Sequence, residues 1–258
     1  MPPRALRPSG LILVDKPAGR SSFAVVAEIR RKTGARTGHA GTLDPFASGL
    51  LLVLSGSATR VAPWLVGLEK RYVTEIDLRM RTSTGDAEGE VLEELERPSR
   101  GELDRRLAAL RGEVELPIPA VSAVRIGGER AYRLARRGAA PKMPLRRSRV
   151  EELEVIAYTP ESVTLDLRVS SGTYVRAIAA SLGGHCLTLR RLEVGPFTVD
   201  DADPERILPP TDALPFLPAR EVDEATAAAI RQGRERVAEH VRVVHAGELV
   251  AVNGTVLP

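Results

Sequence analysis

The sequence predicts an α+β protein built on a mixed, largely antiparallel sheet, and three observations carry that reading. Residues 70–79, KRYVTEIDLR, alternate Tyr72, Thr74, Ile76 and Leu78 with Arg71, Val73, Glu75, Asp77 and Arg79, the period of two of a half-buried strand. Val163, Leu165, Leu167 and Val169 repeat the pattern. Segments with helical spacing and recognisable caps are dispersed among the strands rather than alternating regularly with them.

LILVDKP (11–17) is a short apolar run ended by Lys-Pro, hence a strand entering a turn. In SSFAVVAEIRRKTG, Ser21 or Ser22 can cap a helix whose apolar face is Phe23, Val26 and Ile29, and Gly34 can stop it. Leu50–Leu54 reads as a buried strand or a helix end, because a continuous apolar run has no period to separate the two. TSTGDAEGE (82–90) is a turn by composition. Ser99-Arg100-Gly101-Glu102 fits a capping box, with Leu103, Leu107 and Leu110 forming one helical face behind it. Gly127-Gly128 separates strand-like AVSAVRI from helical ERAYRLARRG. SSGTYVRAIAASLGG reads as a helix capped by Ser or Thr and closed by Gly183-Gly184, with Tyr174 and Arg176 in its first turn.

The proline-rich LPPTDALPFLP (208–218) marks a domain edge. Beyond it lie one helix candidate, DEATAAAIRQG, and two short strands, VRVVH and ELVAV. This appendix of about 40 residues is too small to fold without docking on a larger body. The expected division is therefore 1–212 and 213–258.

Of the 258 residues, 43% are hydrophobic, enough for a substantial core, and the formal net charge is only +3. The distribution of charge says more. Between residues 124 and 150, Arg125, Arg130, Arg133, Arg136, Arg137, Lys142, Arg146, Arg147 and Arg149 face Glu129 alone. Such a cluster suits a polyanionic partner or a solvated basic face, and charge by itself leaves both open. The single cysteine, Cys186, excludes an internal disulfide and suits a reducing compartment, so a cytoplasmic location is expected. His39, His185, His240 and His245 show no metal-ligand spacing, so neither a metal nor another cofactor is expected. No stretch approaches the roughly 20 apolar residues of a membrane span.

The stretch GHAGTLDPFASG (38–49) places one carboxylate, Asp44, among glycines, alanines and small hydroxyls. Locally it reads as a turn aspartate, or as a helix cap with Pro45 in the first helical position. Small neighbours such as Gly41, Ala47 and Gly49 also let a bulky substrate approach a rigid loop, so a turn role does not exclude catalysis. His39 lies in the same loop, although a lone histidine is more often structural. Tyr72 reads as core on its strand pattern. Arg176 at a helix start makes sense with a carboxylate or phosphate opposite it; a surface arginine is the commoner case.

Taken together, DKPAGRSS, GHAGTLDPFASGLL, KRY, TSTGDAEGE, SAVRIGGERAYRLARRG, SSGTYVRAI and LTLRRLEVGPF follow the order found in the bacterial TruB type of tRNA pseudouridine synthase. The chain resembles that family over residues 10–200 and more weakly beyond. HAGTLDP with a downstream GTYVR is the most specific part. The resemblance implies conversion of one uridine in the T-loop of tRNA, conventionally position 55, to pseudouridine. It implies the pseudouridine-synthase catalytic fold, a mixed sheet with a central cleft, followed by a small PUA-like RNA-binding domain. It further implies that Asp44 is the catalytic aspartate, that Tyr72 stacks on the target base and that Arg176 pairs with Asp44. His39, Tyr174 and Leu189 are then expected to accept the base or the loop, and Lys16 and Arg125 to contact substrate. Arg136, Arg137, Arg146 and Arg147 are expected to grip the RNA backbone.

The chain departs from the family pattern at three places. Arg125 stands where lysine is usual, so a planar fork replaces a point donor. Ser83 stands where aspartate is common, and Arg79-Met80-Arg81 replaces a more usual Leu-Gly pair. The sequence ends at Val-Leu-Pro, and a short C-terminal domain is expected.

The implied reaction breaks the N1–C1′ bond of uridine, turns the base and joins C5 to C1′. Nothing is oxidised and no group is added. A hydrolytic glycosidase would use two flanking carboxylates and a water, whereas one acid loop suits a reaction that excludes water. Burial favours the protonated form of a carboxylic acid, and a nearby guanidinium restores the anion. The target must be extruded from its loop, and unstacking costs a few kcal/mol. With nine aromatic residues in the whole chain, Tyr72 and Tyr174 falling in matched motifs carries weight. The partner expected is the T-arm of tRNA, with the enzyme a monomer needing no protein partner. The alternative is a tRNA-binding or folding protein in which turnover is secondary; a guide-RNA-dependent relative ranks behind both. An intact Asp44, Tyr72 and Arg176 favours the enzyme, because an uncompensated carboxylate only weakens RNA binding.

Overall fold

The leucine run at 50–54 is the centre of one half of the molecule. In the computed structural model, which describes residues 8–122, 124–137 and 143–256, it is a strand buried on both faces. Successive side chains point to opposite faces. Leu50, Leu52 and Leu54 therefore enter one apolar cluster, and Leu51 and Val53 another.

Contacts divide the chain into two compact units, one gathering the described residues of Met1–Pro45, Gly49–Leu68 and Val194–Pro258, the other Phe46–Ser48 and Glu69–Glu193. In the first unit, β1 (Gly10–Lys16) leads to α1 (Ser22–Thr33), β2 (Thr37–Ala40) and β3 (Ser48–Ser55). β1 and β2 both pair antiparallel with β3. Ser21 caps α1, its hydroxyl accepting from the Ala24 N–H at 3.1 Å, and Gly34 closes it at φ 61°. Val25, Val26 and Ile29 supply the buried face of α1; Phe23, expected beside them, is exposed instead. A 3-10 turn (Gly56–Val61) and α2 (Ala62–Val66) complete this stretch.

The second unit begins with β4 (Lys70–Asp77), where Lys70, Tyr72, Thr74 and Ile76 are buried in strict alternation. β5 (Met80–Thr82) and β6 (Val91–Glu94) form a hairpin around the expected 82–90 turn. α3 (Arg100–Ala109) is capped by the Ser99 hydroxyl at the Glu102 N–H, 3.2 Å. The Glu102 carboxylate itself pairs with Arg105 and Arg106. β7 (Gly112–Pro117), a short hairpin of β8 (Arg125–Ile126) and β9 (Glu129–Arg130), and α4 (Ala131–Arg136) follow. Next come β10 (Leu145–Tyr158), β11 (Ser162–Val169), α5 (Val175–Ser181) and β12 (His185–Val194). The strand order is β12-β4-β11-β10-β7, with antiparallel pairing of β4 to β11, β11 to β10 and β10 to β7.

From Val194 on the chain rejoins the first unit. After β13 (Phe197–Thr198), β14 (Asp203–Leu208) pairs with β1. A four-stranded sheet then forms from β15 (Ala219–Glu221), β16 (Arg242–His245), β17 (Glu248–Val252) and β18 (Thr255–Val256), with α6 (Glu224–Arg231) packed on it. Ala227, Ile230, Val243, Val250 and Ala251 form its core, while Val252 joins the larger cluster built on β1 and β3. Among the described residues, no helix is long and apolar enough to cross a membrane.

Lys70 is buried at the start of β4, and desolvation, with the Arg191 charge beside it, pushes its ammonium from 10.5 down to about 8. Between those values the unfolded chain holds a proton that the folded chain has released. The lysine therefore opposes folding below about pH 8, and that penalty fades as the pH rises toward its unfolded value. Urea unfolding of wild type and Lys70→Met from about pH 7 to pH 10 tests this. The stability of the variant relative to wild type is expected to be greatest at the low end and to decline steadily; a constant difference contradicts it.

Candidate functional site

Asp44 lies in an irregular loop between β2 and β3, half-buried, and no helix follows it, so the helix-cap reading does not hold. Glycines in the left-handed region, Gly41 at φ 90° and Gly49 at φ 103°, bound the loop. Its backbone is held on both sides of the aspartate. The Ser22 hydroxyl, at the first position of α1, donates to the Leu43 carbonyl at 2.8 Å and accepts from the Leu43 N–H at 2.9 Å. The Pro45 carbonyl accepts from the Gly19 N–H at 2.8 Å and from the Lys16 ammonium at 3.3 Å.

Lys16, expected to contact substrate, is fully buried. Its ammonium also donates to the carbonyls of Pro17 at 2.9 Å and Arg20 at 2.6 Å. A buried charge requires such partners, and here they tie the DKPAGR turn to the aspartate loop. His39 is half-buried on β2, opposite Val53 of β3.

In the second unit, Tyr72 is buried on β4 opposite Leu167 of β11. Leu189 is buried on β12, which adjoins β4; the Thr74 hydroxyl donates to the Thr188 carbonyl at 2.7 Å. Tyr174 is itself the N-cap residue of α5 and makes no side-chain cap, so the expected Ser or Thr cap is absent there.

Arg176 is 3% exposed, far from the surface arginine that its local sequence allowed. Its guanidinium donates to the Thr84 carbonyl at 2.6 Å and the Val121 carbonyl at 2.9 Å, and Asp86 lies 3.8 Å from it. Asp86 is buried and held in turn by the Thr84 hydroxyl and the Glu88 N–H. The 82–90 segment, read only as a turn, thus furnishes both a carbonyl and a carboxylate to this arginine. Alternating small and acidic residues between two short strands was the signal, and composition alone does not distinguish it from a solvent turn.

The basic segment is not one uniform surface. Arg125 is exposed on β8 and donates to the Gly128 carbonyl at 3.3 Å. Arg137 pairs with Glu129 at 2.6 Å. On β10, Arg147 and Arg149 stand opposite Glu115 and Glu113 of β7, and Arg147 reaches Glu113 at 3.4 Å. The guanidinium of Arg146 packs against Gly172, where a Cβ would come within 2.1 Å of its Nη2 and where φ is 78°. Arg146 thereby touches the SSGTY loop that carries Tyr174. Lys142 and the side chain of Arg136 lie outside the described residues.

The profile described as TruB family pseudouridylate synthase (N terminal domain) matches residues 30–175. A protein named tRNA pseudouridine synthase B from Mycobacterium sp. (strain KMS) is 39% identical over 272 aligned residues, covering 96% of this chain and 90% of the relative. One of the same name from Leifsonia xyli subsp. xyli (strain CTCB07) is 41% identical over 239 residues, covering 86% and 78%. Among solved structures, a chain of the "Crystal Structure of a Cbf5-Nop10-Gar1 Complex" superposes with a TM-score of 0.68 at 25% identity, over 94% of this chain and 77% of that one.

Ser22→Ala removes the partner of both Leu43 backbone groups. A loss of about 1–3 kcal/mol in unfolding free energy is expected, with faster amide hydrogen exchange at Leu43. Unchanged exchange at that amide would show that the loop is held by other means.

Proposed function

Since this chain belongs to the TruB family of pseudouridylate synthases and isomerises uridine to pseudouridine in tRNA, we propose that Asp44 is its catalytic carboxylate, Tyr72 the aromatic face for the uracil and Arg176 the buried cation of the reaction. The target is a T-loop uridine. One observation carries the reading: the backbone on both sides of Asp44 is clamped, at Leu43 and at Pro45, while the aspartate itself stays half-exposed. A group that must meet a reacting sugar or base repeatedly in one orientation needs such a fixed main chain.

All atoms of the uridine are retained. The N1–C1′ bond breaks, the base turns, the C5–C1′ bond forms, the proton leaves C5 and N1 gains one. Tyr72, rigid in its strand, offers a flat face to the detached uracil. Tyr72 is also the acceptor we assign to the C5 proton in the last step. His39, Tyr174 and Leu189 receive the extruded nucleotide and its loop. Lys16 acts as a positioning residue through Pro45. The exposed arginines of 125–149 contact phosphates, and their surface pairs with Glu113 and Glu129 are weak enough to yield to RNA. The C-terminal segment 213–258, with its four-stranded sheet, adds RNA-binding surface as a small PUA-like domain. The enzyme works as a monomer in the cytoplasm, where its tRNA substrate is found.

Asp44→Asn is expected to abolish tritium release from tRNA labelled at uridine C5 while tRNA binding persists. Release at a comparable rate would remove Asp44 from the chemistry. Replacing Arg136, Arg137, Arg146 and Arg147 by alanine is expected to weaken tRNA binding and to reduce the slope of log affinity against log salt. If the slope is unchanged, that segment is a solvated face.

A further inference from the structure

We propose that Phe23 is a stacking platform for an unpaired base of the tRNA, at the margin of the loop that carries Asp44. This rests on the reading that the 41–47 loop is catalytic, and adds a substrate-contacting residue to it.

Phe23 is 76% exposed, and among the described aromatic residues only Phe216, at 36%, is also exposed. Isolated apolar residues on a surface are common. Three features set this one apart. First, its backbone is fixed: it occupies the first turn of α1, between Ser22 and the Ala24 whose N–H is capped by Ser21. Second, the adjacent Ser22 is the residue whose hydroxyl brackets Leu43, so the ring grows from the same rigid joint that orients the backbone before Asp44. Third, the charge around it suits RNA. The first turn of α1 holds no acid, and helical spacing puts Phe23 on one stripe with the exposed Arg30 and Arg31 two turns on.

Val25, Val26 and Ile29 of α1 are buried, so Phe23 is the one large apolar side chain this helix exposes, a small area for a protein partner. Loop bases of RNA are splayed out and stacked on aromatic faces, and every base has a face to offer. An aromatic ring followed along the helix by two guanidinium groups fits one base with its strand running along α1, phosphates toward Arg30 and Arg31.

Steady-state tritium release from labelled tRNA, with tRNA binding measured in the Asp44→Asn protein, tests the proposal. Phe23→Ala is expected to raise KM about tenfold, with kcat little changed and urea unfolding close to wild type, because the ring is 76% exposed. Phe23→Tyr and Phe23→Trp should restore KM, whereas Phe23→Leu should not, since stacking needs a flat face. An unchanged KM in Phe23→Ala, or full rescue by leucine, overturns it. The binding arm separates the two claims: Phe23→Ala in the Asp44→Asn background must weaken tRNA binding to the same degree, whether or not Asp44 proves to be the catalytic group.

Discussion

The hydroxyl of Ser22 holding both backbone groups of Leu43 is the constraint on which the candidate site depends. An irregular loop has no ladder of its own, so its peptide groups must find partners elsewhere. Here the partners come from the end of β1 and the turn and helix that follow it: Ser22 for Leu43, Gly19 and Lys16 for Pro45. The aspartate between them inherits a fixed main chain. Both glycines that bound the loop adopt a conformation that other residues rarely hold, which keeps the segment short and tightly bent.

Burial of charge follows a consistent rule in both units. Lys16 has no exposure, and its ammonium is surrounded by backbone carbonyls. Arg176 is placed in the same way against the carbonyls of Thr84 and Val121, with Asp86 close by. Cations inside a protein are tolerable only when hydrogen bonds replace their water. The 82–90 turn therefore does more than connect two strands, since its carbonyl and its buried acid shape the setting of Arg176.

On the surface the same chemistry is looser. Guanidinium groups of β10 face glutamates of β7 across the strand pair, and Arg137 meets Glu129. Exposed pairs of this kind contribute little to stability. They moderate the basic field without locking the side chains. Arg146 differs because its guanidinium fills the space that any side chain at position 172 would need.

By itself the sequence determined the local structure and the family. Alternation marked β4 and β11, Ser21 and Gly34 marked the ends of α1, and the ordered motifs around Asp44, Tyr72 and Arg176 marked a pseudouridine synthase. These features are legible because backbone period and capping chemistry act over a few residues. Only the tertiary structure decided that the 50–54 leucine run is a strand buried on two faces, that Phe23 points to solvent while Val25 packs, and that Lys16 lies inside. It alone brought Glu113 opposite Arg149, and Thr84, Asp86 and Val121 around Arg176. Most of those outcomes depend on partners tens of residues distant in the chain: the carbonyls around Arg176 come from Thr84 and Val121, and Lys16 adds Pro45 to the nearby Pro17 and Arg20.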